Sequence, residues 1–213
     1  LLSTGMSNLK EIVKAINVIS KSKIYQFKSN KVKIVNQKIL TKIKKKLIVL
    51  HCVTDYPVDD NYANLRCIET LSNQLKINVG YSDHTKGIIA PLIAAAKGAK
   101  VIEKHFTLNK RMKGPDHLAS LEPKEFKKMV NNLRIFEIMN GDGKKELQKC
   151  EFKNIKIARK SIVAKSLIKK DEKFTFQNLT TKRPGNGLNP MIIKNLINKR
   201  AKKTFYPDEK IKI

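Results

Sequence analysis

Residues 79–120, VGYSDHTKGIIAPLIAAAKGAKVIEKHFTLNKRMKGPDHLAS, decide how the chain folds. NVGYSDH, from Asn78, and KVIEKHF, from Lys100, have the look of short strands, and the apolar GIIAPLIAAAKGA between them is helical. A strand, a crossover helix and a second strand make two parallel neighbours. Side chains alternate across a strand, so Ser82 and His84 share one face, and Val101, Glu103 and His105 share another. Parallel pairing would bring His84 and His105 together as a metal pair, suited to manganese, cobalt or zinc. A carboxylate and an imidazole on one strand face are expensive in a core unless something binds them. The stretch holds three of the four histidines, with Asp83, Glu103 and Asp116 close by. A single histidine is more often a satisfied core or surface residue, but this many converging polar groups favour a site. Asp83 either orients an imidazole from behind or caps the following helix. His117 reads as a loop residue.

The same rhythm continues on the amino-terminal side. LIVLH (47–51) is an unbroken apolar strand of the kind buried on both faces in a parallel sheet. It is followed by a helix carrying Leu65, Ile68, Leu71 and Leu75 at helical spacing. LLSTGM at the start ends a strand, and Ser7 is expected to cap a helix with Leu9, Ile12, Val13, Ile16 and Ile19 on one stripe. Ser3 and the Gly5 turn sit where hydroxyl and N–H groups can meet a phosphate; a plain strand-to-helix turn is the other reading. Beyond the central stretch, Pro123 opens a helix with Phe126, Met129, Val130, Leu133 and Phe136 on one stripe, stopped by Gly141. Strand and helix alternate four times without return hairpins, the pattern of a parallel α/β sheet or barrel. Residues 141–152 form a polar linker, and 153–213 hold short β segments with a helical patch near Pro190–Lys199.

Composition sets limits. The chain has 213 residues, 41% of them hydrophobic, enough for a medium domain and a small one. No apolar run approaches the ~18 residues of a membrane span, and no secretory leader is visible. Cys52, Cys67 and Cys150 are odd in number and without CxxC spacing, which fits a reduced, cytoplasmic setting. The net charge of +27 raises the question of nucleic acid. Residues 1–46 contribute +11, 47–150 only +4 and 151–213 +12, so the excess lies outside the candidate site. It is mostly lysine, without aromatic stacking motifs, and nucleic-acid binding is not expected. Residues 21–46 carry ten lysines and no acid; they are a floppy loop, an added amphipathic piece or the product of sequence damage.

GYSDHT (80–85), VIEKHFTL (101–108) and GPDHLASLEP (114–123) resemble the sialic acid synthase family, which makes N-acetylneuraminate and relatives such as legionaminate. LLSTGMSNLKEI (1–12), LHCVTDYP (50–57), IARKSIVA (157–164) and LTTKRPGNG (179–187) agree, in the family's order. The resemblance spans nearly everything but residues 21–46. It implies an α/β fold: residues 1–140 as the second half of a TIM (β/α)8 barrel, with 21–46 an atypical insertion, followed by a small, mostly β antifreeze-like (SAF) domain at 153–213. The first half of the barrel would precede Leu1, so the chain alone is not expected to catalyse the whole reaction.

That reaction, by resemblance, joins phosphoenolpyruvate to an N-acyl mannosamine-type sugar. The resemblance assigns a divalent ion (manganese, alternatively cobalt or magnesium) to His84 and His105. Glu103 is the candidate carboxylate for orienting water or steadying positive charge, and Asp116 is a sugar-facing acid near the metal. Ser3, Ser82 and Thr54 would contact phosphate; Thr54 stands where some members have Asn. Tyr56 and Arg183 would bind sugar, the latter from a SAF domain that reaches the partner barrel of a homodimer. Two other readings stand beside this one: a non-catalytic remnant whose C-terminal module only folds or dimerises, and a basic nucleic-acid-binding protein.

Overall fold

Strands β1 (Leu2–Ser3), β4 (Ile48–His51), β5 (Asn78–Asp83) and β6 (Ile102–Lys104) lie side by side, all parallel, in the order β1-β4-β5-β6. The structure, a computed structural model, describes residues 1–213. It divides into two compact units, Leu1–Gly143 and Lys144–Ile213. Each parallel connection in the first unit runs through a helix: α1 (Leu9–Ile19), α3 (Arg66–Leu75) and α4 (Ile89–Ala96), with α5 (Pro123–Asn140) after the last strand. The core lies between sheet and helices, where Ile12, Val13, Ile16, Val49, Ile68, Leu75, Val79 and Tyr81 are buried. Burial of the α1 and α3 stripes, rather than helix propensity, holds these short helices in place.

Two local expectations are corrected. Asn8, not Ser7, caps α1: its side chain accepts the Glu11 N–H while Glu11 reaches back to the Asn8 N–H, a reciprocal capping box. Ser7 lacks an acid three residues on and turns instead to the Gly5 carbonyl. The lysine-rich stretch is no floppy loop, and the chain does have a return hairpin there. Strands β2 (Tyr25–Lys28) and β3 (Lys31–Ile34) pair antiparallel around Ser29 and Asn30, both at positive φ, and α2 (Gln37–Ile43) follows, capped by Asn36. Tyr25, Phe27, Val32 and Ile34 pack against the core while the intervening lysines are exposed, which makes the segment amphipathic.

The hairpin is pinned from both sides. The Asn17 side-chain oxygen accepts the Ile24 and Tyr25 N–H groups, and its amide donates to the Tyr25 carbonyl at 2.8 Å. The Tyr25 hydroxyl donates to the Leu75 carbonyl at 2.6 Å, and burial pushes that phenol up to about 12. A phenol near its ordinary ~10 in the unfolded chain makes this stabilisation complete below pH ~10 and lost as pH climbs toward 12. Tyr25→Phe is therefore expected to cost about 1–2 kcal/mol at neutral pH, through the orphaned carbonyl. It should also flatten the loss of stability between pH ~10 and ~12, as urea unfolding across that range would show.

In the second unit, a 3-10 turn at Lys149–Glu151 leads into α6 (Phe152–Ala158), so helix stands where linker and β structure were expected. Strands β7 (Ser161–Ala164) and β8 (Leu179–Lys182) pair antiparallel, with isolated bridges at Val163–Lys210, Ile168–Phe205 and Lys173–Arg200. A turn at Pro190–Ile192 and the short α7 (Ile193–Leu196) supply the helical patch. Ile162, Ile168, Phe174, Leu196, Phe205 and Ile211 form this unit's own core. No helix of the chain is long and apolar enough to cross a membrane.

Candidate active site

The carboxyl ends of β5 and β6 gather the expected pair. The His84 and His105 rings lie with centres 5.3 Å apart, and the Tyr56 ring stands 4.2 Å from His84 and 5.4 Å from His105. Strand alternation explains the placement: Ser82 and His84 follow one face of β5, Glu103 and His105 the matching face of β6, and Ser82 is the register partner of Glu103. The Ser82 hydroxyl donates to Glu103 at 2.6 Å and lies 3.5 Å from His84 Nε2.

The hydrogen bonds fix the tautomer of His84. Its Nδ1 is 2.6 Å from the Val53 carbonyl, which can only accept, so Nδ1 carries a proton and in the neutral ring Nε2 holds the lone pair. The Ser82 proton is directed at Glu103, so that lone pair is left for another partner. The main chain adds a second tie, Val58 N–H to the His84 carbonyl at 3.0 Å. An imidazole oriented by a carbonyl behind it is the usual arrangement of a metal ligand. Two imidazoles sharing one ion at roughly 2.1 Å place their ring centres about 5 Å apart, so the observed spacing fits. No three His, Cys, Asp or Glu side chains come together as a cage. This chain offers such an ion two imidazole nitrogens.

Other expected residues lie differently. Glu103 is exposed and His105 half-buried. Ser3 is exposed at the end of β1, and its neighbour Thr4 turns inward to the Leu50 carbonyl. Thr54 is exposed beside Gly5, where a β-carbon would fall 2.1 Å from the Thr54 hydroxyl. Asp116 is exposed on a loop, and only its main-chain carbonyl is engaged, by Ser120. Arg183 belongs to the second unit, where its Nε donates to the Ala158 carbonyl at 2.8 Å. His117 accepts or donates to Thr107 within its loop at 2.8 Å.

Asp83 touches neither imidazole and does not cap α4. It is fully buried on the opposite face of β5, where it accepts from Tyr81, Thr85 and the ammonium of Lys104. Alternation turns it away from the imidazoles, and α4 begins six residues later, too far to be capped. Burial and the Asp83 charge push the Tyr81 phenol well above its ordinary range. Lys104 was missed from the sequence because its flanking residues carry the recognisable chemistry.

Residues 1–145 match the model of the NeuB family. The chain is 47% identical over 212 residues to the N,N'-diacetyllegionaminic acid synthase of Campylobacter jejuni subsp. jejuni serotype O:2, covering 100% of this chain and 58% of that protein. The N,N'-diacetyllegionaminic acid synthase of Legionella pneumophila is 36% identical over 200 residues, 94% of this chain and 52% of its own length. Among solved structures, the N-acetylneuraminic acid (sialic acid) synthetase of Leptospira borgpetersenii serovar Hardjo-bovis, in complex with citrate, superposes with a TM-score of 0.57 at 37% identity, covering 72% of this chain and 47% of that one. The chain thus spans a little over half the length of these curated relatives. With the parallel sheet, the paired imidazoles and a family match over 145 residues in agreement, the chain belongs to the NeuB family.

Proposed function

We propose that the cluster at the ends of β5 and β6 is the metal- and substrate-bearing side of a nonulosonic acid synthase centre. The reaction condenses phosphoenolpyruvate with the open-chain form of an N-acyl mannosamine-type sugar. The methylene carbon of phosphoenolpyruvate bonds to the aldehyde carbon, water adds at the adjoining carbon, and phosphate leaves with cleavage of its C–O bond. The observation that carries this reading is the imidazole pair, 5.3 Å apart, with Nε2 of His84 left open. A divalent ion such as manganese, cobalt or magnesium held by His84 and His105 would act as a Lewis acid toward the aldehyde oxygen.

Further roles are assigned to groups of this chain. Ser82, Ser3 and Thr54 donate to phosphate oxygens from strand ends and loops. Glu103, once Ser82 turns to phosphate, has a free carboxylate to orient the incoming water. Tyr56 flanks both imidazoles and offers a ring face and hydroxyl to the sugar. Asp116 is assigned to the sugar by motif alone. Residues 1–140 are read as half of a (β/α)8 barrel, and the second unit as the SAF domain that carries Arg183 to the sugar in a cytoplasmic homodimer.

The test is phosphate release from phosphoenolpyruvate with N-acetylmannosamine or its 2,4-diacetamido relative. It is measured on this chain, and on this chain mixed with the segment of the Campylobacter jejuni relative that it does not cover. The expected result is release that needs both substrates, rises with manganese and stops with chelator. No release in either preparation, with manganese present and both partners folded, would overturn the assignment.

A further inference from the structure

Behind the imidazoles, on the outer face of the sheet, Asp83 and Lys104 form an ion pair 2.7 Å long in which both side chains are 0% exposed. They are register partners on the last rung of the β5–β6 ladder. His84 and His105 are the residues next to them in the chain, just past the point where strand pairing stops. Lys104 also donates to the Thr85 carbonyl, and Asp83 Oδ1 accepts from the Tyr81 hydroxyl, the Thr85 N–H and the Thr85 hydroxyl. Asp83 therefore grips the loop that leaves β5, and Lys104 ties the end of β6 to that grip.

Such a pair is a poor means of stabilising a sheet. Desolvating two charges offsets most of their attraction, and an apolar pair of similar volume serves stability as well or better. An apolar pair cannot make directional bonds to Thr85. We propose that Lys104 and Asp83 are positioning residues, which hold the His84 and His105 rings in their mutual orientation from the opposite face of the sheet. The inference rests on the reading of those histidines as the metal pair, and deepens it. Neither residue touches substrate or metal. Their effect passes through the main chain at 83–85 and 104–105.

The experiment replaces the pair by apolar side chains, Asp83→Leu with Lys104→Met, in the whole chain. Three quantities are read: the urea midpoint, the His84 ring tautomer by long-range proton–nitrogen NMR, and the affinity for manganese alone. The expected result is a folded protein with a lowered midpoint, because the Tyr81 hydroxyl and the Thr85 N–H, hydroxyl and carbonyl lose their partners. Its Nδ1-protonated His84 signal gives way to a mixture of tautomers, and its manganese affinity falls about 10- to 100-fold. A folded double variant that keeps the tautomer and binds manganese within twofold of the parent would overturn the proposal. So would failure of the double variant to fold, since the pair would then be a stability element. Should the parent itself bind no manganese that His84→Ala removes, the metal reading fails separately, and the tautomer still decides whether the pair positions the ring.

Discussion

His84→Ala, in the preparation that releases phosphate, is expected to lower turnover about 10³-fold and to remove the response to added manganese. The hydrogen bond from His84 Nδ1 to the Val53 carbonyl sets the size of the effect. That carbonyl fixes which ring nitrogen is protonated, so the parent presents a ready lone pair at Nε2 with no reorganisation. Alanine removes the donor and leaves the Ser82–Glu103 contact intact, so the loss reports the imidazole itself. His105→Ala should do the same, and the double variant should lose little more than either single one, as groups that act as a unit are far from additive. Ser82→Ala should act differently: it frees Glu103 from its 2.6 Å bond and removes a phosphate donor, raising KM for phosphoenolpyruvate more than it lowers kcat. Steady-state phosphate release with manganese titrations separates these cases. If both histidine variants keep parental turnover and parental manganese dependence, the pair is not the catalytic centre.

The pairing of His84 and His105 was legible because it depends on period alone. A strand's two-residue repeat and a parallel crossover are enough to put both rings on one face at one end. What period cannot say is what covers the other face. Asp83 and Lys104 follow the same alternation, but in sequence they look like two ordinary charges. Their side chains are completely buried and both bond to Thr85, and that is tertiary information. For the lysine-rich stretch the sequence leaves a floppy loop, an amphipathic piece and sequence damage open, and the structure bears out the amphipathic piece. Its apolar alternation, Tyr25, Phe27, Val32 and Ile34, is present but drowned in exposed lysines, and its anchor is Asn17, a polar residue on a different element.

Gly80→Ala is expected to cost about 3 kcal/mol or more, and to disturb the site without touching any of its residues. Gly80 lies on β5 opposite Leu50, on the same face as Ser82 and His84. A β-carbon there would come within 2.5 Å of Leu50 Cδ2, 2.6 Å of the Val101 carbonyl oxygen and 3.1 Å of Val101 Cβ. The leucine can swing aside, but the carbonyl cannot move freely, because it accepts the Tyr81 N–H at 2.8 Å. Relief therefore requires prising the approach to β6 away from β5, stretching that hydrogen bond and shifting Glu103 and His105 downstream. Against a typical total of 5–15 kcal/mol, such a loss is large. The same change at Gly98, where nothing lies within 4 Å and only the positive φ of +95° opposes a side chain, should cost about 1 kcal/mol and leave manganese affinity alone. Urea midpoints and manganese titrations of the two variants make the comparison. Equal midpoints would mean that β5 and β6 are not packed as tightly as the strand-end geometry demands, and the support for the imidazole pair would go with them.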